Sequence, residues 1–201
     1  MTTRKSIRQD MRSRRRALDS ATRARAAEAL TALLTALPCY RSAQHLSAYV
    51  AVDGEVDTNP LLQQAHRDGK HIYLPVLSAE HADVLQFHRW TPASEMLNNR
   101  LQIPEPHTSG VGGIQPSMLD LVLTPLVAFD SSGNRLGMGA GFYDRTFAFL
   151  KTGGDKPWML GLAYEFQCLD HLEKASWDVP LAAVVTERSV HLFARQEIDP
   201  G

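Results

Sequence analysis

The stretch LDLVLTPLVAF, residues 119–129, passes through a DSSG turn into NRLGMGAGFYDR, residues 134–145. The first run is almost continuously apolar. That is the pattern of a strand covered on both faces, as in the middle of a parallel sheet. The second run alternates Gly137, Gly139 and Gly141, with Arg135 ahead and Phe142, Tyr143 and Asp144 behind. A helix is expected from about Phe142 to Leu150. Strand, glycine loop and helix in that order point to an α/β architecture with a loop at the carboxyl end of a buried strand.

Two common phosphate fingerprints do not fit the loop. One requires a lysine that is absent, and the other requires glycine where Phe142 stands. The residue types still suit an anion. Glycines permit positive φ and close approach, so exposed N–H groups can line a concavity. A helix N-terminus adds partial positive charge, and Arg135 a full one. Asp144 repels phosphate, but its oxygens suit a magnesium ion bridging to phosphate. The alternative reading is a tight loop whose glycines serve only to turn the chain.

Outward from the loop, HLSAYVA (45–51) and KHIYLPV (70–76) read as strands around the helix TNPLLQQAHRDG (58–69), with Thr58 as N-cap and Gly69 past the C-terminus. This strand–helix–strand unit implies a parallel pair. Further strands are expected at 83–90, 158–164, 182–187 and 189–194. The segment from Thr91 to Pro116 is rich in Pro, Gly, Asn and Ser, with one helical turn expected near Glu95. At the N-terminus, Ile7, Met11 and Leu18 form a helical stripe with arginines on the other faces, and a second helix begins at Asp19 or Ser20 and stops before Pro38. Glu55 and Asp57 follow a strand. There a carboxylate accepts hydrogen bonds from a heterocycle's amino groups, or forms a solvated acidic turn.

The 201 residues carry a net charge of -1, yet residues 1–25 carry +7, leaving -8 for the rest. Such a segment favours an anionic partner: nucleic acid, nucleotide or polyanionic substrate. The first 39 residues hold no aromatic residue, which lowers the case for RNA recognition by base stacking. No apolar run reaches 18 residues, and the N-terminus is charged, so neither a membrane helix nor a secretory signal is expected. Cys39 and Cys168 suit reduced thiols in a cytoplasmic protein. The eight histidines show no metal-binding spacing. Trp90, Trp158 and Trp177 read as core or pocket walls, and one α/β domain over 1–201 is the economical organisation.

The glycine stretch resembles the signature of the 5-formyltetrahydrofolate cyclo-ligases, also called 5,10-methenyltetrahydrofolate synthetases. The resemblance extends, in order, through RKSIR (4–8), RRRAL (14–18), DGEVDT (53–58), GKHIYLPV (69–76), LNNRLQIPEP (97–106) and WDVPLAAVVTE (177–187). It implies a three-layer α/β/α sandwich with a mainly parallel central sheet. It also implies ATP- and magnesium-dependent cyclisation of 5-formyltetrahydrofolate to 5,10-methenyltetrahydrofolate, through a phosphorylated formyl group, in folate and one-carbon metabolism. Carried over by residue, Arg135, Leu136, Gly137, Met138 and Gly139 bind ATP, together with Ala140, Gly141, Phe142 and Tyr143. Met138 to Phe142 also border the folate. Arg135, Tyr143 and Asp144 are implied to be catalytic, with Asp144 as the Mg2+ ligand. Glu55 binds the pterin beside Val50, and Arg4, Lys5 and Arg8 of the basic helix (about 3–18) reach the phosphates.

The chain departs from the family pattern twice. Lysine is frequent where Arg4 stands, which leaves Arg4 and Lys5 as rival phosphate contacts. Many members carry a metal-binding aspartate where this chain has Ala182, so that ligand is absent here or supplied elsewhere, with Asp178 as a candidate. The expected partners are the two small-molecule substrates, with no membrane and no nucleic acid, and the expected assembly is a monomer or weak homodimer. Two other readings remain: a non-catalytic nucleotide- or RNA-binding protein on the same scaffold, and an ATP-independent enzyme such as a sugar-phosphate isomerase.

Overall fold

The computed structural model describes residues 3–78, 83–107, 113–153 and 156–193. The chain opens with α1 (Arg4–Ala17), α2 (Ser20–Thr35) and the short α3 (Pro38–Ser42). The carboxylate of Asp19 accepts the Thr22 N–H at 2.8 Å, capping α2 where the sequence places its start. Then come β1 (His45–Ser47), α4 (Asn59–Arg67), β2 (His71–Leu77) and β3 (Leu85–Trp90). A hairpin of β4 (Met96–Asn98) and β5 (Pro104–Pro106) follows, then β6 (Gly113–Ile114) and β7 (Leu121–Pro125). The remainder is β8 (Ala128–Asp130), β9 (Arg135–Leu136), α5 (Phe142–Thr146), β10 (Trp158–Leu162), β11 (Cys168–Leu169), β12 (Ala183–Val185) and β13 (Val190–Leu192).

Eight strands form the main sheet in the order β13-β12-β10-β7-β1-β2-β3-β6. The five strands from β12 to β2 run parallel, and the flanking pairs are antiparallel. Side chains alternate across this sheet as strand geometry demands. Leu121 and Leu123 of β7 face the core beneath α2 and α4, while Val122 faces the opposite core beside Phe147 and Phe129. β7 is therefore buried on both faces, which accounts for its unbroken apolar run. One outer layer is α2, α3 and α4. The other is thin, made largely of α5 and a 3-10 turn at Ala148–Thr152.

The parallel strands run outward in opposite directions from the β1/β7 boundary: β2 lies on one side, β10 and β12 on the other. Ligands of open α/β sheets bind past the carboxyl ends of strands at such a switch point. The turn after β1 and the glycine loop after β9 both lie there in sequence, one on each side.

Several elements end earlier than the sequence patterns suggest. The run 119–129 breaks at Pro125, which has no N–H to continue a ladder. β8 then joins a separate three-stranded sheet with β9 and β11. The freed carbonyls of Leu126 and Val127 accept hydrogen bonds from Gln167 Nε2 at 2.9 and 2.8 Å. β1 stops at Ser47 because the next segment turns to local partners: the Tyr49 carbonyl accepts from the Thr58 hydroxyl at 2.5 Å. Thr58 therefore holds the N-cap position without capping by its side chain, and Asp57 accepts the Asn59 N–H instead. The helix expected to reach Leu150 ends at Thr146, where Phe147 turns fully into the core against Phe87. The helical turn expected near Glu95 is replaced by the β4–β5 hairpin. Residue 194, at the end of the last expected strand, lies outside the described residues, as does His81. Among the described residues no helix is long and apolar enough to cross a membrane.

Candidate functional site

The glycine loop is built from its base upward. Asp130 accepts N–H bonds from Ser132 and Asn134 at 3.0 Å each, fixing the turn before β9. Leu136 is fully buried and packs with Met11 of α1, so its side chain anchors the loop and only its backbone is available to a ligand. Gly139 and Gly141 take φ of +113° and +70°, which side-chain-bearing residues rarely adopt. The loop then enters α5, whose five residues make a weak dipole. Positive charge comes instead from α1. Arg8 Nε donates to the Gly137 carbonyl at 2.9 Å, and its guanidinium lies beside Gly139. Burial and the neighbouring Arg4 press the Arg8 pKa down, while Asp178 opposes them.

The loop walls two hollows. The larger, of about 280 Å³, is mostly apolar: Pro75, Leu77, Leu85, Pro125, Met138 and Phe142 contribute, with Val50 on the β1 side. The β4–β5 hairpin closes part of its rim with Leu101 and Ile103. Three polar features stand out in it. Glu55 is nearly buried, at 7% exposure, and accepts the Val52 N–H at 3.1 Å. Burial pushes its pKa up to about 7, against the pull of that N–H and of Arg15, whose Nη1 is 3.9 Å away. The Tyr143 hydroxyl is buried with no hydrogen-bond partner, and burial together with Glu55 raises its pKa. A buried polar group of that kind is rare in a finished core. Arg135 and Asp144 form the third feature, a tight ion pair of Nη2 with Oδ1. Asp144 Oδ1 also accepts the Val179 N–H at 3.0 Å, and Arg135 Nε donates to the Val179 carbonyl at 3.4 Å.

The second hollow, of about 200 Å³, is much more polar than the first. Arg4, Arg8, Asp144, Asp178 and Trp177 surround the same three glycines. Gly137, Gly141 and Asp144 therefore face both hollows. Of the two rival contacts, Arg4 lines this cleft and pairs with Asp178 at 3.5 Å, whereas Lys5 is exposed and outside the lining. Ala182 is buried in the core under α2, away from either lining. The other carboxylate lining the cleft beside that of Asp144 is that of Asp178. Magnesium takes few carboxylates and keeps waters and phosphate oxygens, so these two side chains are a fitting donor set. Among the described residues, no cluster of three or more His, Cys, Asp or Glu side chains is arranged for a metal.

Of the acidic residues after β1, Glu55 and Asp57 have separate roles: Glu55 faces the cavity, while Asp57 is exposed at the start of α4. Sequence reading missed Asp53, which takes φ +54° and binds Arg12 Nε at 2.5 Å, Arg15 Nη2 at 3.4 Å and Arg16. The fully buried Arg15 was missed as well. Their signal was the coincidence of an arginine run with the D-G turn at Asp53 and Gly54. Together they fasten α1 to the segment that carries Glu55. Arg14 lies over the Phe166 ring, 4.5 Å from its centroid. Most arginines of α1 thus have partners within the fold, which weakens the reading of that helix as an RNA-binding arm.

A model of the 5-formyltetrahydrofolate cyclo-ligase family matches residues 1–187. The 5-formyltetrahydrofolate cyclo-ligase of Escherichia coli (strain K12) is 40% identical over 180 residues, covering 90% of this chain and 98% of that protein. The Haemophilus influenzae enzyme of the same name is 38% identical over 178 residues, covering 89% and 94%. Among solved structures, the 5,10-methenyltetrahydrofolate synthetase of Aquifex aeolicus superposes with a TM-score of 0.81 at 29% identity, covering 96% of this chain and 93% of that one.

Proposed function

The chain belongs to the 5-formyltetrahydrofolate cyclo-ligase family, and we propose that it closes the folate ring with ATP and magnesium in the two hollows that share the glycine loop. The apolar cavity takes the folate. Glu55 accepts hydrogen bonds from the pterin's N–H groups, with Val50 beside it and Met138 and Phe142 against the ring system. The polar cleft takes the triphosphate, held by Arg4, Arg8 and the loop N–H groups from Gly137 to Gly141. Asp144 and Asp178 would hold the magnesium ion, which would supply charge neutralisation at the phosphates.

The chemistry needs alignment more than a strong base. A formamide oxygen is a poor leaving group. Transfer of the γ-phosphoryl group forms a bond from that oxygen to phosphorus and releases ADP. N10 then attacks the activated carbon, the phosphate leaves with the electrons of its C–O bond, and the N10 proton passes to solvent. Arg135, buried against Asp144, fixes that carboxylate at the junction where the groups meet. The observation that carries this reading is the loop's double exposure: Gly137 and Gly141 border both the apolar and the polar hollow.

The test is direct. Purified protein with 5-formyltetrahydrofolate, ATP and magnesium should develop the absorbance of the methenyl product, and leaving out ATP or chelating the metal should abolish it. Well-folded protein that forms no ATP-dependent product would sink the proposal.

A further inference from the structure

Trp177 is the most exposed of the three tryptophans, at 65%, while Trp90 is buried and Trp158 half-buried. It stands on the rim of the polar cleft, beside Arg4, Asp178 and the glycines. Among the described residues no ring stacks on it. Its backbone nevertheless sits in a fixed turn. The Asp178 N–H donates to the Ala175 carbonyl at 3.1 Å, and the Asp178 carboxylate accepts the Ala175 N–H at 2.8 Å. Lys151 holds the Ser176 carbonyl. Two residues on, the Val179 peptide bonds to both members of the Arg135–Asp144 pair. The indole is thus solvent-facing, while its anchor is tied to the residues that line the cleft.

We infer that Trp177 is the stacking platform for the nucleotide's base. This rests on the proposed ATP site and adds the part that the glycine loop leaves open. The phosphoryl group that reacts must point toward the apolar cavity, across Gly137, Gly141 and Asp144. The rest of the triphosphate then leads away from that wall, toward Arg4, Asp178 and Trp177. A large flat apolar surface at the end of a cationic and peptide-lined groove offers what a heterocyclic base needs. Stacking on an indole is favourable for any base and requires no hydrogen-bond code. An exposed tryptophan on a tethered turn also loses little entropy when it stacks.

The experiment uses the full chain in steady-state assays with ATP and 5-formyltetrahydrofolate, and tripolyphosphate as a base-free competitor. Trp177→Ala should raise the KM for ATP about tenfold. The KM for the folate should stay within about twofold, and inhibition by tripolyphosphate should be unchanged. Trp177→Phe keeps an aromatic face and should restore most of the ATP affinity. ATP should change the intrinsic fluorescence of the wild type, and Trp177→Phe should abolish that change. An ATP KM within twofold of wild type in Trp177→Ala overturns the inference while leaving the ATP reaction standing. Equal weakening of ATP and tripolyphosphate also overturns it, because the residue would then be shaping the anion groove. A wild type without ATP-dependent turnover overturns both the inference and the function on which it rests.

Discussion

The apolar cavity is walled chiefly by residues on or just beyond the central strands: Val50 and Glu55 after β1, Pro75 and Leu77 on β2, Leu85 on β3 and Pro125 ending β7. The polar cleft takes its side chains from the periphery, with Arg4 and Arg8 from the first helix and Trp177 and Asp178 from a turn far along the chain. The two share only the glycine loop's residues and Asp144. One hollow is consequently set by the sheet's register and can only be roughly as it is. The other depends on tertiary docking of α1, which Asp53 secures by gathering three arginines. Under the proposed function, specificity for the folate would be written into the sheet-built part, and grip on the nucleotide into the docked part.

Asp144 belongs to both hollows, so its loss should show the largest effect. Asp144→Asn removes the carboxylate charge at the junction and should lower kcat at least about a hundredfold. It also leaves the Arg135 guanidinium buried without its counter-charge, which should cost about 3 kcal/mol in a denaturant melt. Assays well below the variant's melting temperature separate the two effects, and near-normal turnover there would remove Asp144 from the mechanism.

Glu55→Gln should act on the apolar cavity alone. The loss of a charged acceptor should lower kcat/KM for the folate roughly tenfold to a hundredfold, with little change in the KM for ATP. The pH dependence has a definite sign. With the Glu55 pKa pushed up to about 7, the ionised acceptor is gained as pH rises through that value. Wild-type kcat/KM for the folate should therefore climb from pH 6 to 8, and Glu55→Gln should flatten that limb. Stability runs the other way. Between the ordinary carboxyl pKa and about 7 the native state holds more protons than the unfolded one, so stability falls as pH rises across that window. The variant should lack this fall. A climb in kcat/KM that survives in Glu55→Gln would assign the titration to another group.

The difference between the hollows also decides what could be read from the sequence. β7 was legible because burial on both faces forces an unbroken apolar run, and the turns at Asp19 and Gly69 because their chemistry is local. The glycine loop was legible as a backbone device, with the family resemblance supplying its ligand. The break at Pro125 was less so, because the replacement partner, Gln167, is some 40 residues away. Arg15 looked like one more surface arginine, and nothing in a helical pattern marks the residue that will be fully buried against Asp53 and Glu55. Trp177 read in sequence as no more than core or pocket wall, because its neighbours in the cleft, Arg4 and Gly139, are neighbours only in the folded chain; it is exposed rather than core.

The smallest expected effects fall on the docked side and test how far α1 is committed to one register. Arg4 lines the cleft, with its guanidinium held 3.5 Å from Asp178, while Lys5 projects from an exposed position of the same turn. Arg4→Ala should raise the KM for ATP by a factor of several. Lys5→Ala should change it less than about twofold at physiological salt, because a solvated ammonium acts on a ligand only through a screened field. Lowering the ionic strength should enlarge the Lys5 effect and leave the Arg4 effect nearly constant, since a contact inside the cleft is screened less. Equal effects at both salt levels would mean that the helix meets ATP in another register, with the compact ammonium rather than the planar fork on the phosphates.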